Sequence, residues 1–355
     1  MKKTAFIAIF LLFLLLPLRV SADEASLEER IEAETGADGL LDGGTSVPLG
    51  EKVFGVIRNA FSSFVGDGLH YYCLLMSLIL LLSVAASFKW TSGKVISDVY
   101  EYISVLVLAG CIFTSLSKVF AYSASSINRL CLYMSSFIPV TASLYTLGGS
   151  VSAGVASSSA LILFLTFSER FSGSFLLPLL RMGFAASVIP ALPGSVNMRS
   201  VSGFLKNALT TLLAFVFTTF GVVMYFQTVI TASADNYAFR TVKFASGVFI
   251  PVIGSIVGDA ARTVTAAASV VKASVGGVGL AAILSLTLPP IIYVFMFKIF
   301  TLLAAMASRL LGLEKESNLL YDVNGFLSVL VSLLIGTAVI FIIAVAMFIR
   351  IGVGE

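Results

Sequence analysis

The chain is short of charge. Only 12% of its 355 residues are Asp, Glu, Lys or Arg, against about 25% in a soluble domain. With 58% hydrophobic residues it cannot cover itself with polar surface, so lipid must be the solvent for most of it. Histidine is scarcer still. His70 is the single one, beside Tyr71 and Tyr72, an ordinary neighbourhood at a membrane interface. One imidazole excludes His-based zinc sites and leaves little room for a Ser-His-Asp triad. Cysteine is limited to Cys73, Cys111 and Cys131, with no C-x-x-C. That excludes a disulfide framework, and the three read as small buried hydrophobes. The nearest approach to a phosphate loop is "GTSVPLGEK" at 44–52, where Glu51 parts the glycine from the lysine and no Ser or Thr follows. The backbone cradle and the magnesium ligand are therefore missing. These absences point away from an enzyme and imply no catalytic residue, no metal and no cofactor.

What is present is long charge-free runs, over 71–88, 130–168, 207–234, 273–297 and 326–349. About 20 apolar residues span a bilayer as a helix. In hydrocarbon every backbone N–H needs an internal partner, so the runs predict helices. They do not alternate as barrel strands do. The fold class is all-α, a polytopic helical membrane protein.

The N-terminus, "MKKTAFIAIFLLFLLLPLRVSADE", has two lysines, a short apolar core and small residues before Asp23. It reads as a signal peptide over 1–22, cleaved between Ala22 and Asp23. An uncleaved anchor helix is the plainer alternative. Residues 23–67 hold ten acids against three bases (Arg30, Lys52 and Arg58), whereas 89–355 hold nine acids against sixteen bases. The first segment reads as an acidic extracytoplasmic arm, its part 23–50 largely flexible. The rest, 68–355, reads as the membrane domain. The basic excess suits cytoplasmic loops, with Lys89 and Lys94 inside.

Two phrases recur within that domain. "FIPV" stands at 137–140 and 249–252, each copy followed at the same distance by a serine, Ser143 or Ser255. "VSGFL" at 201–205 returns as "VNGFL" at 323–327. The common order predicts an internal duplication, 91–200 and 201–322, with a final helix over 326–349. Proline removes a helical N–H and crowds the carbonyl four residues back. Behind Pro139 come Gly148 and Gly149; behind Pro251 come Gly254 and Gly258. Pro/Gly-broken segments at matching places in two halves mark the functional centre of transporter-like folds. The other reading is close packing of helices, for which "GSIVG" at 254–258 is a small-xxx-small pattern. Whether such segments span or re-enter leaves six to ten crossings.

Charges inside apolar runs are costly and point to function. Arg181 interrupts "FLLPLLRMGFAASVIPALP", and Asp259 and Arg262 stand one helical step apart. Arg181 is expected to face the protein interior or a wet cavity, unless it snorkels to an interface. Glu169 and Arg170 read as a short turn, Lys298 and Arg309 as helix ends. The stretches 118–130 and 232–245 read as interfacial.

A leader, an acidic arm and a polytopic core carrying the "FIPV…S" and "SGFL" phrases, with no catalytic apparatus, resemble the stage III sporulation protein AE family. The resemblance runs from the leader to the last helix. It implies a multi-pass protein of the mother-cell-derived outer forespore membrane. It further implies a multiprotein channel or specialised secretion complex shared with ring-forming membrane proteins and an ATPase. Nucleic acid is not an implied partner. The duplicated, Pro/Gly-broken core by itself would also suit a stand-alone secondary transporter for a small solute.

Overall fold

The computed structural model describes residues 49–89, 94–147, 151–188, 202–226 and 251–350. The Ala22–Asp23 processing site, Gly148 and Gly149, and the 232–245 stretch lie outside them. So do the side chains of residues 251–269, which include Pro251, Asp259 and Arg262. Chain contacts set Met1–Gly39 apart from Leu40–Glu355, and the description concerns the second unit.

The described residues are helical throughout, apart from one tight turn. In order they are α1 (Leu49–Lys89), α2 (Lys94–Leu147), α3 (Val151–Arg170), a π-helical segment (Phe171–Leu176) and α4 (Leu177–Val188). Then come α5 (Ser202–Phe226), α6 (Pro251–Leu310) and α7 (Glu314–Arg350). Five of them, α1, α2, α5, α6 and α7, are long and apolar enough to cross a membrane. The all-α, multi-pass expectation therefore holds.

The helices are longer than the charge-free runs suggested. α2 has 54 residues and α6 has 60, so at 1.5 Å per residue each reaches roughly 80–90 Å. That is nearly three times the roughly 30 Å of bilayer hydrocarbon. Polar residues did not end these helices, because a helix satisfies its own backbone wherever its side chains can reach an exposed face. The stretch 118–130, expected to lie along the interface, is instead the continuous middle of α2, with Val119, Phe120, Tyr122 and Ile127 buried. Likewise 49–67, grouped with the acidic arm by charge, is the first half of α1, and it buries Ala60 and Phe64.

α6 is the centre of the bundle, packing against α1, α2 and α7. Aromatic rings fix the register. Phe64 of α1 meets Tyr122 of α2 at 5.7 Å and Tyr293 of α6 at 4.8 Å between centroids, and Tyr71 stacks on Phe297 at 4.7 Å. Glycine notches receive other rings. Phe300 lies over Gly68, Phe137 over Gly279, Phe326 over Gly183 and Phe217 over Gly336. Lipid gives helices little hydrophobic reason to associate, so such close packing carries much of the cohesion.

α6 and α7 form an antiparallel hairpin. Its turn depends on Gly312, whose φ of +79° is the left-handed region that side chains avoid. The Leu313 amide donates to the Ser308 carbonyl at 3.0 Å and the Gly312 amide to that of Arg309 at 3.1 Å. Arg309 lies in the last turn of α6, as expected of a helix end, and Glu314 and Glu316 lie in the first turn of α7. Both placements suit the helix dipoles. Lys298 is not at an end; it lies within α6. Gly312→Ala is expected to lower stability by about 1–2 kcal/mol, the left-handed penalty, measured by denaturant titration in detergent. An unchanged midpoint would refute this account of the turn.

The two copies of Phe-Ile-Pro-Val stand in different local settings. α2 runs on through Pro139, which is exposed, while Pro251 is the first residue of α6 and Gly254 and Gly258 follow inside that helix. The glycine phrases, by contrast, meet in space. The Lys206 stem lies against Gly325 and Phe217 against Gly336, so α5 and α7 run parallel, side by side.

Candidate functional site

Polar side chains gather where the α6–α7 hairpin meets α2. Ser104 of α2 is fully buried and donates from Oγ to Oε1 of Glu316 at 2.6 Å; Glu316 is itself 4% exposed. One helical turn away, Lys315 pairs with Glu101. Ser317 donates to the Ala305 carbonyl at 2.9 Å and Ser308 to that of Leu313 at 3.1 Å, so both hydroxyls knit the turn. A buried carboxylate is tolerated here for two reasons. It accepts a hydroxyl proton, and it sits in the first turn of α7, where the helix dipole favours negative charge. The cluster clamps α7 to α2. Among the described residues no group of His, Cys, Asp and Glu side chains could hold a metal ion.

Deeper in the bundle polar groups become sparse and local. The Tyr71 and Thr301 hydroxyls meet at 3.0 Å. A small cavity, about the size of one water, lies between Ser126, Ile127 and Leu130 of α2, Thr287 and Pro290 of α6, and Leu334 and Thr337 of α7. Pro289 and Pro290 lie inside α6 and remove the N–H groups that would bond the carbonyls of 285 and 286. The neighbouring hydroxyls stay on their own helices: Ser126 donates to Tyr122, Thr287 to Ile283 and Thr337 to Leu333, at 2.7–2.9 Å. Asn324, in the second glycine phrase, has a buried Oδ1 with no hydrogen-bond partner among the described residues.

The residues singled out by sequence do not converge. Arg181 does not point inward: it is exposed on α4, with its guanidinium carbon 5.9 Å from the centre of the Phe120 ring, a cation–π contact between α4 and α2. Pro139 sits on the exposed face of α2. Pro251, Gly254, Gly258, Asp259 and Arg262 share the first turns of α6. Glu169 and Arg170 end α3, and the chain passes into a π-helical segment rather than an ordinary turn. Sequence reasoning missed the Ser104–Glu316 pair, whose members are 212 residues apart. The available signal was "EKES" at 314–317, a charged cluster opening a long apolar helix.

Comparison with known proteins gives a family. The description "Stage III sporulation protein AE" belongs to a family whose sequence pattern matches residues 39–352. A curated protein of that name from Bacillus subtilis (strain 168) is 26% identical over 242 residues, which is 68% of this chain and 58% of the relative. The match thus spans less than two thirds of that relative's length. No solved structure matches. A pattern covering nearly all of the helical bundle, on a chain of five membrane-length helices, makes this protein a member of the stage III sporulation protein AE family, with the role in sporulation that the family implies.

Proposed function

We propose that the chain is a non-enzymatic, integral membrane component of a multiprotein channel or specialised secretion complex linking mother cell and forespore. Its place is the outer forespore membrane, and its partners are ring-forming membrane proteins and an ATPase. The observation that carries the reading is the family match over 39–352, laid on a bundle whose polar side chains bind helix to helix. A component of this kind needs a rigid membrane body and partners, not a catalytic centre. A stand-alone transporter would need a substrate site of its own. Here Arg181, Pro139 and the first turns of α6 lie apart from the buried polar cluster.

The test is a tagged chain purified from sporulating cells, with the purified chain alone reconstituted into vesicles. Co-purification of ring proteins and an ATPase, with no solute movement by the chain alone, is the expected result. Solute uptake by the chain alone, with no partners retained, would overturn the proposal in favour of a transporter. Arg181 belongs to the same proposal, since an exposed guanidinium on a short apolar helix of a membrane bundle is met by another chain or by water. Arg181→Leu is expected to leave insertion intact but reduce partner recovery. Arg181→Lys should be only partly tolerated, because an ammonium lacks the planar fork of donors. Wild-type recovery with Arg181→Leu would remove Arg181 from the interface.

A further inference from the structure

One face of α2 changes chemistry halfway along the helix. Helical positions three, four or seven apart share a face. Along the exposed face the first half presents Val99, Ile103, Val107 and Gly110. On the same face the second half presents Thr114, Lys118, Asn128, Ser136 and Ser143, with Ser125 half-buried between them and Ala121, Leu132 and Pro139 as its apolar members. Arg129 flanks this row, half-buried, with Nη2 donating to Ser125 Oγ at 3.2 Å. The serines hand their protons to their own helix: Ser136 to Leu132 and Ser143 to Pro139, at 3.3 and 2.9 Å. A carboxamide, an ammonium and a guanidinium have more donors than a helix can absorb, and in hydrocarbon that is costly.

The second half nevertheless lies at membrane depth. Ser126, Ile127 and Leu130 share their small cavity with Leu334 and Thr337. Residue 337 stands at the middle of the charge-free run 326–349. At that level α7 exposes Ile335 and Val339. At this depth α7 thus offers an apolar surface, whereas on α2 Asn128, Ser136 and the Arg129 guanidinium stand around Leu132.

We propose that the α2 face from Lys118 to Ser136 lines a water-filled crevice inside the bilayer, and that its two fixed cations, Lys118 and Arg129, make it selective for small anions. No acidic residue occurs between 102 and 168; the acids of this helix, Asp98 and Glu101, stand more than four turns before Lys118, and Glu101 is paired with Lys315. α7 meets lipid at the same depth. The crevice rests on exposure and register alone. A wet face on a chain that conducts nothing would leave it standing and count only against the channel reading.

The test uses the full chain in lipid vesicles, with Cys73, Cys111 and Cys131 replaced by alanine and single cysteines introduced for spin labelling. Labels at Asn128→Cys and Ser136→Cys should collide with a water-soluble nickel chelate more than with oxygen. Labels at Ile335→Cys and Val339→Cys should show the reverse. Oxygen-dominated collisions at 128 and 136 would make the face lipid-exposed. Protection from both probes would mean that protein covers it. Nickel collisions at 335 and 339 as well would place the whole level outside the bilayer. Each of these three results overturns the proposal. Charge selectivity is read from thiol modification at Asn128→Cys. A negatively charged thiosulfonate should react about tenfold faster than a positively charged one, and the ratio should fall towards one when Lys118→Gln and Arg129→Gln are added. A starting ratio of one or below would overturn the anion selectivity.

Discussion

Gly336→Leu is expected to separate α5 from α7 and to cause the largest loss of stability of any single substitution considered. At Gly336 a Cβ atom would clash with the edge of the Phe217 ring, which lies against the bare backbone of α7. Alanine alone forces that ring to move, and overpacking of this kind costs about 1–3 kcal/mol. Leucine adds three further carbons to the same space. The loss should therefore exceed that of Gly336→Ala, which lipid cannot make good, since α5 is held by packing rather than by exclusion from water. α5 is also sparsely anchored: Phe204, Phe215, Tyr225 and Phe226 are all exposed. Thermal unfolding in detergent should show the drop, and limited proteolysis should cut around α5 while α6 and α7 stay intact. Phe217→Ala should rescue Gly336→Leu in part, because the added side chain then fills the space the ring leaves. Wild-type unfolding of Gly336→Leu, or no rescue by Phe217→Ala, would show that this contact does not hold the helices together.

The sequence made the class of the fold legible and its length scale illegible. Charge-free runs locate the stretches that lipid must cover, so α7 and the second half of α1 were placed closely. They are silent on how far a helix continues beyond lipid. The stretch 118–130 reads as interfacial, yet in α2 Lys118 and Asn128 lie on the exposed side, Arg129 is half-buried, and Tyr122, Ile127 and Leu130 lie on the buried side. The prolines misled in a related way. Pro139 costs one hydrogen bond on an exposed face, which a long helix survives, so it did not break α2. The Pro289–Pro290 pair stands in a plainly apolar stretch that gives no sign of its effect, although it frees two carbonyls in the packed centre of the bundle. Pairing across helices was hidden altogether. Nothing in a linear pattern joins Ser104 to Glu316 or Glu101 to Lys315. The glycine phrases were seen as a repeat, and their contact through Lys206 and Phe217 came only from the structure.

Ser104→Ala should destabilise the chain more than its size suggests, because it leaves the buried Glu316 carboxylate one donor short. Losing the partner of a buried acceptor costs about 1–3 kcal/mol, with charged groups at the upper end. Glu316→Leu should cost less. It removes a favourable charge from the first turn of α7, worth about 0.3–1 kcal/mol, but the Ser104 hydroxyl still reaches the Glu101 carbonyl, 3.2 Å away. The two changes together should lie closer to wild type than Ser104→Ala alone, since replacing both partners by apolar groups abolishes the unmet demand. The double-mutant cycle should therefore show a coupling of about 1–2 kcal/mol between residues 104 and 316, measured by denaturant titration in detergent. The neighbouring Lys315–Glu101 pair is a control within the same cluster. Its ammonium is about two-fifths exposed, and pairs open to solvent couple by less than about 1 kcal/mol. The buried pair should thus exceed the exposed pair, and salt should weaken only the latter. Additive effects at 104 and 316 would mean that the carboxylate is held by the α7 terminus alone, and that α2 is fastened to the hairpin by its apolar contacts.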